Sequence, residues 1–279
     1  MNWIQINARY PEVPGDWSLV IDLLRGQGCD NTLVEDRPPS ITCCVQEVPG
    51  STQTVERIQT LLLKNGAEAV RVEKVQDDDW LNAWKKFFKP RRIGKRFVIK
   101  PSWEPYEAEA DDLIIELDPG QAFGTGEHPT TRMCLQHLET LQVSDKKVAD
   151  IGCGSGVLSI GAARLGAASV VGSDIEPISV EIARENAALN KVNLTFITAA
   201  GIQDLGDGPF DIILSNIISA TILSLMPDIV ARLAPDGQWV ISGILAANYP
   251  DVLKAAEREG LKETAKLEED DWIASILSR

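Results

Sequence analysis

The stretch Val148 to Ile160, VADIGCGSGVLSI, carries an acid, three closely spaced glycines and the start of an apolar helical pattern. Val148, Ala149 and Ile151 read as the end of a buried strand, Gly152, Gly154 and Gly156 as a tight turn, and Val157 onward as a helix. A strand, a glycine turn and a helix N-terminus offer a ligand close approach to bare backbone N–H groups. The dinucleotide fingerprint G-x-G-x-x-G needs glycine where Val157 stands, so the spacing here is the different G-x-G-x-G. Asp150, just before the turn, can accept a hydrogen bond from a ligand cation or hydroxyl. Downstream, VGSDIEP (Val171 to Pro177) reads as a second strand ending in Asp174. An acid after the second strand, ~20 residues beyond the turn, suits a ribose diol, from which it accepts two hydrogen bonds.

The rest of the chain must position these groups. Its 279 residues have room for two domains. A net charge of −14 makes it a poor general binder of nucleic acid, so no sequence-specific nucleic-acid contact is expected, while such a surface can attract a basic protein. The N-terminal MNWIQINARY lacks a basic region followed by an apolar core, and no apolar run reaches ~18 residues, so neither a signal peptide nor a membrane span is expected. Cys29, Cys43, Cys44, Cys134 and Cys153 form no C-x-x-C pair and read as buried reduced thiols of a cytoplasmic protein. Two histidines are too few for a His-based metal site, and no metal is expected.

Residues 1–76 alternate strand and helix patterns in the order β-α-β-β-α-β, a ferredoxin-like unit, with Ser51 or Thr52 expected to cap the second helix. It holds no phosphate loop or catalytic cluster and reads as a substrate-recognition module. Residues 77–103 mix Trp80, Trp84, Phe87 and Phe88 at helical spacing with Lys85, Lys86, Lys89, Arg91, Arg92, Lys95, Arg96 and Lys100. That mixture reads either as a nucleic-acid patch or as a linker whose aromatic helix packs on a neighbour. The acidic balance of the whole chain favours the linker. FVIKPSW and DLIIELD then read as a strand hairpin leading into a domain over 104–279. Between Leu117 and Leu138, Phe123, Gly124, Thr125 and Gly126 form a loop whose hydroxyls and open backbone can face a ligand's carboxylate. Thr130 or Thr131 is expected to cap the following helix, with His128 as a loop-stabilising donor rather than a base.

The glycine turn with Asp174 resembles the first two motifs of class I S-adenosylmethionine (AdoMet) methyltransferases. AFGTGEHPTT, DIGCGSGVL, SNI and SGIL, together with WLNAWKKFF and RIGKRFVIKPSW, resemble the ribosomal protein L11 methyltransferase (PrmA) family nearly end to end. The resemblance implies an α/β fold: a seven-stranded Rossmann-like methyltransferase domain preceded by a small ferredoxin-like α+β domain. It implies AdoMet as cofactor, methylation of lysine ε-amines and the N-terminal α-amine of L11, and AdoMet-binding roles for Thr131, Gly152, Asp174 and Asn216. The glycine turn, Gly154 included, would hold the methionine part.

The remaining pattern fits. LTFITAAG is a third strand, with 199–202 expected near the adenine, and FDIILSNI a fourth, ending at Asn216. A helix interrupted or started at Pro227, an APDG turn, the strand QWVISGIL, a helix stopped by Gly260 and a terminal hairpin complete the chain. Methyltransferases that act on planar nitrogens carry a motif resembling [DN]-P-P-[YF] at the end of the fourth strand, where the aromatic stacks on the acceptor. Asn216-Ile217-Ile218-Ser219 has no such ring, which points to a tetrahedral amine, with the Asn216 carbonyl accepting its N–H and aiming its lone pair. Two alternatives stay open: another protein-lysine methyltransferase, of the electron-transfer-flavoprotein type, and a non-catalytic RNA-binding relic of the fold.

Overall fold

The protein is described by a computed structural model covering residues 2–14, 17–25, 27, 29, 32–36, 38–48, 50–76, 89–118, 128–206 and 208–279. The chain divides into two units, Met1–Phe88 and Lys89–Arg279.

In the first unit β1 (Asn2–Arg9), α1 (Trp17–Arg25), β2 (Thr32–Asp36), β3 (Pro39–Gln46), α2 (Ser51–Lys64) and β4 (Ala69–Gln76) follow one another. The sheet order is β2-β3-β1-β4 with every neighbouring pair antiparallel, the order of a split βαβ unit. Period-two alternation buries Ile4, Ile6 and Ala8 of β1, and helical spacing buries Val55, Ile58 and Leu62 of α2 in the same core. Each of these isoleucine, valine and leucine side chains contributes about 1.5–3 kcal/mol of transfer free energy, the Ala8 methyl less. The cap of α2 differs from expectation: Gly50, at φ +97°, holds the N-cap position without a side-chain bond, and Ser51 is already the first helical residue, buried. All five cysteines are buried thiols outside any disulfide.

The second unit opens with β5 (Arg91–Ile93), β6 (Phe97–Lys100) and β7 (Leu113–Glu116). The expected linker therefore ends well before 103. Ile93, Phe97 and Ile99 are buried in a core shared with Leu135 and Leu138, because the apolar residues of RRIGKRFVIK fall on paired strands. The expected hairpin is also corrected. β6 and β7 run parallel, and the hairpin is β5–β6, turned at Gly94, where φ is +62°. Glu139 caps that turn, accepting from the backbone N–H groups of Lys95 (2.8 Å), Arg96 (2.7 Å) and Phe97 (3.0 Å). A Cβ at position 94 would lie 2.3 Å from the same carboxylate. Three of the basic residues here are matched within the unit: Lys89 to Glu104 (2.7 Å), Arg92 to Asp112 (2.7 Å) and Glu109 (3.0 Å), and buried Lys100 to Glu116 (2.9 Å). The aromatic stripe Trp80, Trp84, Phe87 and Phe88, with Lys85 and Lys86, lies outside the described residues.

After α3 (Pro129–Thr140), the elements β8 (Lys147–Ile151), α4 (Val157–Arg164), β9 (Ser169–Asp174), α5 (Pro177–Leu189), β10 (Thr195–Thr198) and β11 (Phe210–Asn216) build one side and the centre of a sheet. Then α6 (Ser219–Arg232), β12 (Leu233–Leu245), α7 (Tyr249–Arg258), β13 (Lys262–Glu269) and β14 (Trp272–Ser278) complete it. The seven-stranded order is β10-β9-β8-β11-β12-β14-β13, parallel from β10 to β12, with β14 antiparallel to both its neighbours. This is the class I methyltransferase arrangement. Among the described residues two large apolar clusters lie on the sheet, one around Phe97, Leu135 and Ile160, the other around Ile222, Ile229 and Trp239, with a smaller one around Val180, Ala183 and Phe196.

Pro227 neither starts nor interrupts α6, which runs through it. The APDG segment is an excursion within β12: Leu233 pairs with Phe210 and Gln238 with Ile212, so four residues loop out between them. The terminal hairpin turns on Asp270 and Asp271, both at positive φ.

Candidate functional site

Strand order reverses direction between β8 and β11, and a ligand crevice in an open α/β sheet lies at the carboxyl ends of the strands flanking such a switch. Register fixes what stands there. Ile151 pairs with Ser173 and Ser215, which sets Gly152 level with Asp174 and Asn216 at the ends of three adjacent strands. Asp174 in turn pairs with Thr198, and Asn216 with Ser242. Four of the sequence-predicted groups, Asp150, Gly152, Asp174 and Asn216, are therefore gathered by backbone pairing alone.

The glycine turn works differently from the sequence expectation. Its N–H groups are not bare: those of Gly152 and Cys153 donate to Ser173 O (2.8 and 2.9 Å), that of Gly154 to Asp174 Oδ2 (2.9 Å) and that of Gly156 to Cys153 O (2.8 Å). Glycine is needed for the path, with φ of +74°, +51° and +78° at 152, 154 and 156. Gly152 and Gly154 are half-buried, whereas Cys153, Ser155 and Gly156 are buried, so the first two glycines form the accessible floor.

Asp150 is buried. Its Oδ2 accepts from Ser159 N–H (3.1 Å) and Ser159 Oγ (2.6 Å), and its Oδ1 has no partner among the described residues. Burial pushes its carboxyl up to about 6, opposed by the Ser159 bonds and helped by the charge of Asp174. Asp174 also accepts from Glu176 N–H through Oδ1 (3.0 Å), and a carboxylate with two such bonds keeps lone pairs for a diol. Ala199 N–H donates to Asp174 O (2.9 Å), which brings the start of the expected adenine segment beside the acid. Ile202, its far end, is buried in the core instead.

Thr131, fully buried on α3, accepts from Asn216 Nδ2 through Oγ1 at 3.2 Å, tying the helix to the end of β11. Asn216 Oδ1 is buried and without a partner among the described residues. Neither Thr130 nor Thr131 caps α3. His128 does: its Nδ1 accepts from Thr130 N–H (3.4 Å) and lies 2.7 Å from Thr130 Oγ1. Burial, then the Arg132 cation, lowers the His128 pKa against the pull of Glu269, which keeps the ring neutral and able to accept. The His128 ring also meets Trp272 edge-on at 5.0 Å, and Arg132 pairs with Glu269. Phe123, Gly124 and Thr125 lie outside the described residues.

The arrangement is a test of the expected cofactor. Asp150 Oδ1, Asp174 and Asn216 Oδ1 are all acceptors, while the N–H groups of Gly152, Cys153, Gly154 and Gly156 are spent within the protein. Such a set suits a ligand that brings donors and positive charge, and it offers a pyrophosphate little. AdoMet carries an ammonium, a ribose diol and a sulfonium, and it fits.

Sequence reasoning missed Ser159, the partner of Asp150, and Gly243, whose φ is +81°. A glycine inside the apolar strand QWVISGIL was the available signal.

The comparisons agree with this geometry. Residues 29–279 match the model of the family described as ribosomal protein L11 methyltransferase (PrmA). A relative with that name from Pelotomaculum thermopropionicum is 36% identical over 305 residues, spanning 98% of both chains. Another, from Geobacter sulfurreducens, is 45% identical over 208 residues, 75% of this chain and 69% of its own. The crystal structure of ribosomal protein L11 methylase from Lactobacillus delbrueckii subsp. bulgaricus superposes with a TM-score of 0.65 at 36% identity, covering 69% of this chain and 99% of that one. With strand order, acceptor-lined crevice and end-to-end similarity in agreement, the chain belongs to the ribosomal protein L11 methyltransferase (PrmA) family and is an AdoMet-dependent methyltransferase.

Proposed function

We propose that this enzyme methylates amine nitrogens, lysine ε-amines and the N-terminal α-amine, of ribosomal protein L11 in the cytoplasm. One observation supports the amine reading above others. Asn216 holds a carbonyl oxygen with no partner among the described residues at the end of β11, and the residues after it are Ile217 and Ile218, not an aromatic platform. An acceptor beside an apolar wall suits a tetrahedral amine that must shed water.

AdoMet, when bound, supplies a methyl group on a cationic sulfur. The chain supplies no nucleophile of its own; it aligns two reactants. Asp174 holds the ribose diol, Gly152 and Gly154 allow close approach, and Asp150 Oδ1 takes an ammonium N–H. Asn216 Oδ1 accepts an N–H of the incoming amine and turns its lone pair inward. Only about one lysine amine in a few thousand is neutral at pH 7. Desolvation in the crevice favours the neutral form, and the proton leaves to water.

Asp150 gives this reading a pH signature. A ligand ammonium lowers the carboxyl's pKa from its value of about 6 in the free protein. AdoMet affinity should then be near its maximum around pH 7 and fall about fivefold from pH 6 to pH 5, a slope that Asp150→Asn removes. Stability has the opposite sign. A carboxyl whose folded pKa is raised stabilises below its unfolded value and loses that contribution as pH rises through about 6. Free Asp150→Asn should therefore melt higher at pH 8, by the equivalent of up to about 3 kcal/mol, while binding AdoMet less tightly. Calorimetric titration and thermal melts across pH 5–8 decide it, and a pH-independent wild-type affinity would reject the ammonium contact.

The small domain is the second test. A cut at residue 122 would remove the buried strands β5–β7, so the fragment to compare begins at Lys89. It should bind AdoMet within about threefold of the full chain but methylate L11 at least about tenfold more slowly at low substrate, the loss expected when remote binding energy is removed. Equal activity on L11 would mean that residues 1–76 do not recognise the substrate.

A further inference from the structure

β12 bulges beside the site. Ile241 pairs with Ser275 and Ile244 with Ile273, so Ser242 and Gly243 together oppose Ala274. Gly243 adopts φ +81°, and a Cβ there would lie 2.5 Å from Ile217 O, 2.8 Å from Ile217 C and 3.0 Å from Ile217 N. These are backbone atoms with nowhere to move. The same bulge presents Ser242 O, which accepts Ile217 N–H at 3.1 Å, while Ser242 Oγ donates to Ile273 O at 3.0 Å and holds the bulge to β14. On the other side, Ile217 lies over the glycine turn. A Cβ on Gly152 would come within 2.3 Å of Ile217 Cγ2. The peptide that follows Asn216 is thus held between two left-handed glycines, one from the cofactor turn and one from the β12 bulge.

Resting on the amine-methylation reading above, we infer that Ile217 and Gly243 are positioning residues for methyl transfer: their clasp fixes the Asn216 carboxamide against the glycine turn. Among the described residues Asn216 has one side-chain tether, the 3.2 Å bond to Thr131, and its acceptor oxygen has no partner, so its aim depends on the backbone that carries it. Ile217 provides that backbone's anchor in three ways: an N–H bond to the bulge, a peptide plane packed on Gly243, and a branched side chain packed on Gly152. A glycine needed only to let β12 bend would affect stability and leave the reaction otherwise unchanged. A clasp makes a different demand, because loosening Ile217 disturbs the acceptor more than the cofactor site, whose glycine turn keeps its own bonds to Ser173 O and Asp174 Oδ2.

Ile217→Ala removes the γ-branch that lies on Gly152 and keeps the backbone; Ile217→Val keeps that branch. Gly243→Ala drives a Cβ into the Ile217 peptide and can fail to fold. The test therefore rests on the two Ile217 variants, with Gly243→Ala added where it folds. Amide hydrogen exchange across 214–219 in the protein without AdoMet should be about tenfold faster in Ile217→Ala and near wild type in Ile217→Val. AdoMet affinity should stay within about threefold in both, while single-turnover methyl transfer to L11 at saturating AdoMet falls about tenfold in Ile217→Ala and recovers in Ile217→Val. Gly243→Ala should fall further, by about thirtyfold or more. Unchanged exchange in Ile217→Ala overturns the clasp whatever the activity. Faster exchange with an unchanged transfer rate overturns its positioning role. A wild type that leaves L11 unmethylated overturns the substrate reading alone, and the clasp is then judged on exchange.

Discussion

Asn216→Ala should cut single-turnover methyl transfer by about two orders of magnitude while AdoMet affinity falls less than about tenfold, the asymmetry expected when a group aligns reactants in the transition state. Alanine removes the Oδ1 that receives the amine and frees Thr131 Oγ1 from its 3.2 Å bond. Asn216→Asp is the sharper variant. It preserves an acceptor at the same place but adds a negative charge, which holds the incoming lysine as ammonium and raises its pKa. Transfer by the Asp variant should be slow at pH 7 and recover toward wild type as pH approaches ~10, near the reference lysine value. Single-turnover rates against pH with AdoMet saturating separate the cases. An Asp variant that matches wild type at every pH would show that Asn216 does not handle the amine.

Asp174→Ala should weaken AdoMet binding by about 1.5–3 kcal/mol, roughly 10–150-fold, the usual cost of losing a charged acceptor. Two contributions are combined in that loss. One is the pair of bonds to the ribose diol. The other is the 2.9 Å bond that holds Gly154 N–H, because alanine leaves the glycine turn untethered at its accessible floor. Asp174→Asn divides them: it keeps an oxygen for Gly154 but weakens the diol contact, and should fall between wild type and alanine. Calorimetric titration of folded variants measures this, and unchanged affinity in Asp174→Ala would remove Asp174 from the cofactor site.

Much of this site was legible in the sequence because it is set by short-range rules. Three glycines in five residues can only be a turn, and acids or amides at the ends of apolar runs fall at one edge of a parallel sheet. Asp150, Gly152, Asp174 and Asn216 therefore meet as expected, in register across β9, β8 and β11. What was not legible depends on partners distant in sequence. β6 pairs parallel with β7, yet FVIK and LIIE look the same in a hairpin or a crossover. Lys89 to Lys100 appeared linker-like because its basic residues dominate the count, whereas Ile93, Phe97 and Ile99 decide the fold by meeting Leu135 and Leu138. The N–H groups of Gly152, Cys153 and Gly154 are taken by Ser173 O and Asp174 Oδ2, acceptors some twenty residues away. His128 took the cap from the neighbouring threonines because its ring, kept neutral by burial, can accept from Thr130 N–H. The bulge at Gly243 depends on β14, the last strand of the chain, and a single glycine in QWVISGIL marks it only weakly.

The central claim is that this site moves methyl groups onto amines of L11. Mass spectrometry of recombinant L11 after incubation with the 279-residue enzyme and AdoMet tests it most directly. The expected result is peptides heavier by whole methyl increments, assigned by fragmentation to lysine side chains and the N-terminal amine, and absent from a parallel reaction with Asn216→Ala under single-turnover times. L11 of unchanged mass, from an enzyme shown by calorimetry to bind AdoMet, would contradict the account.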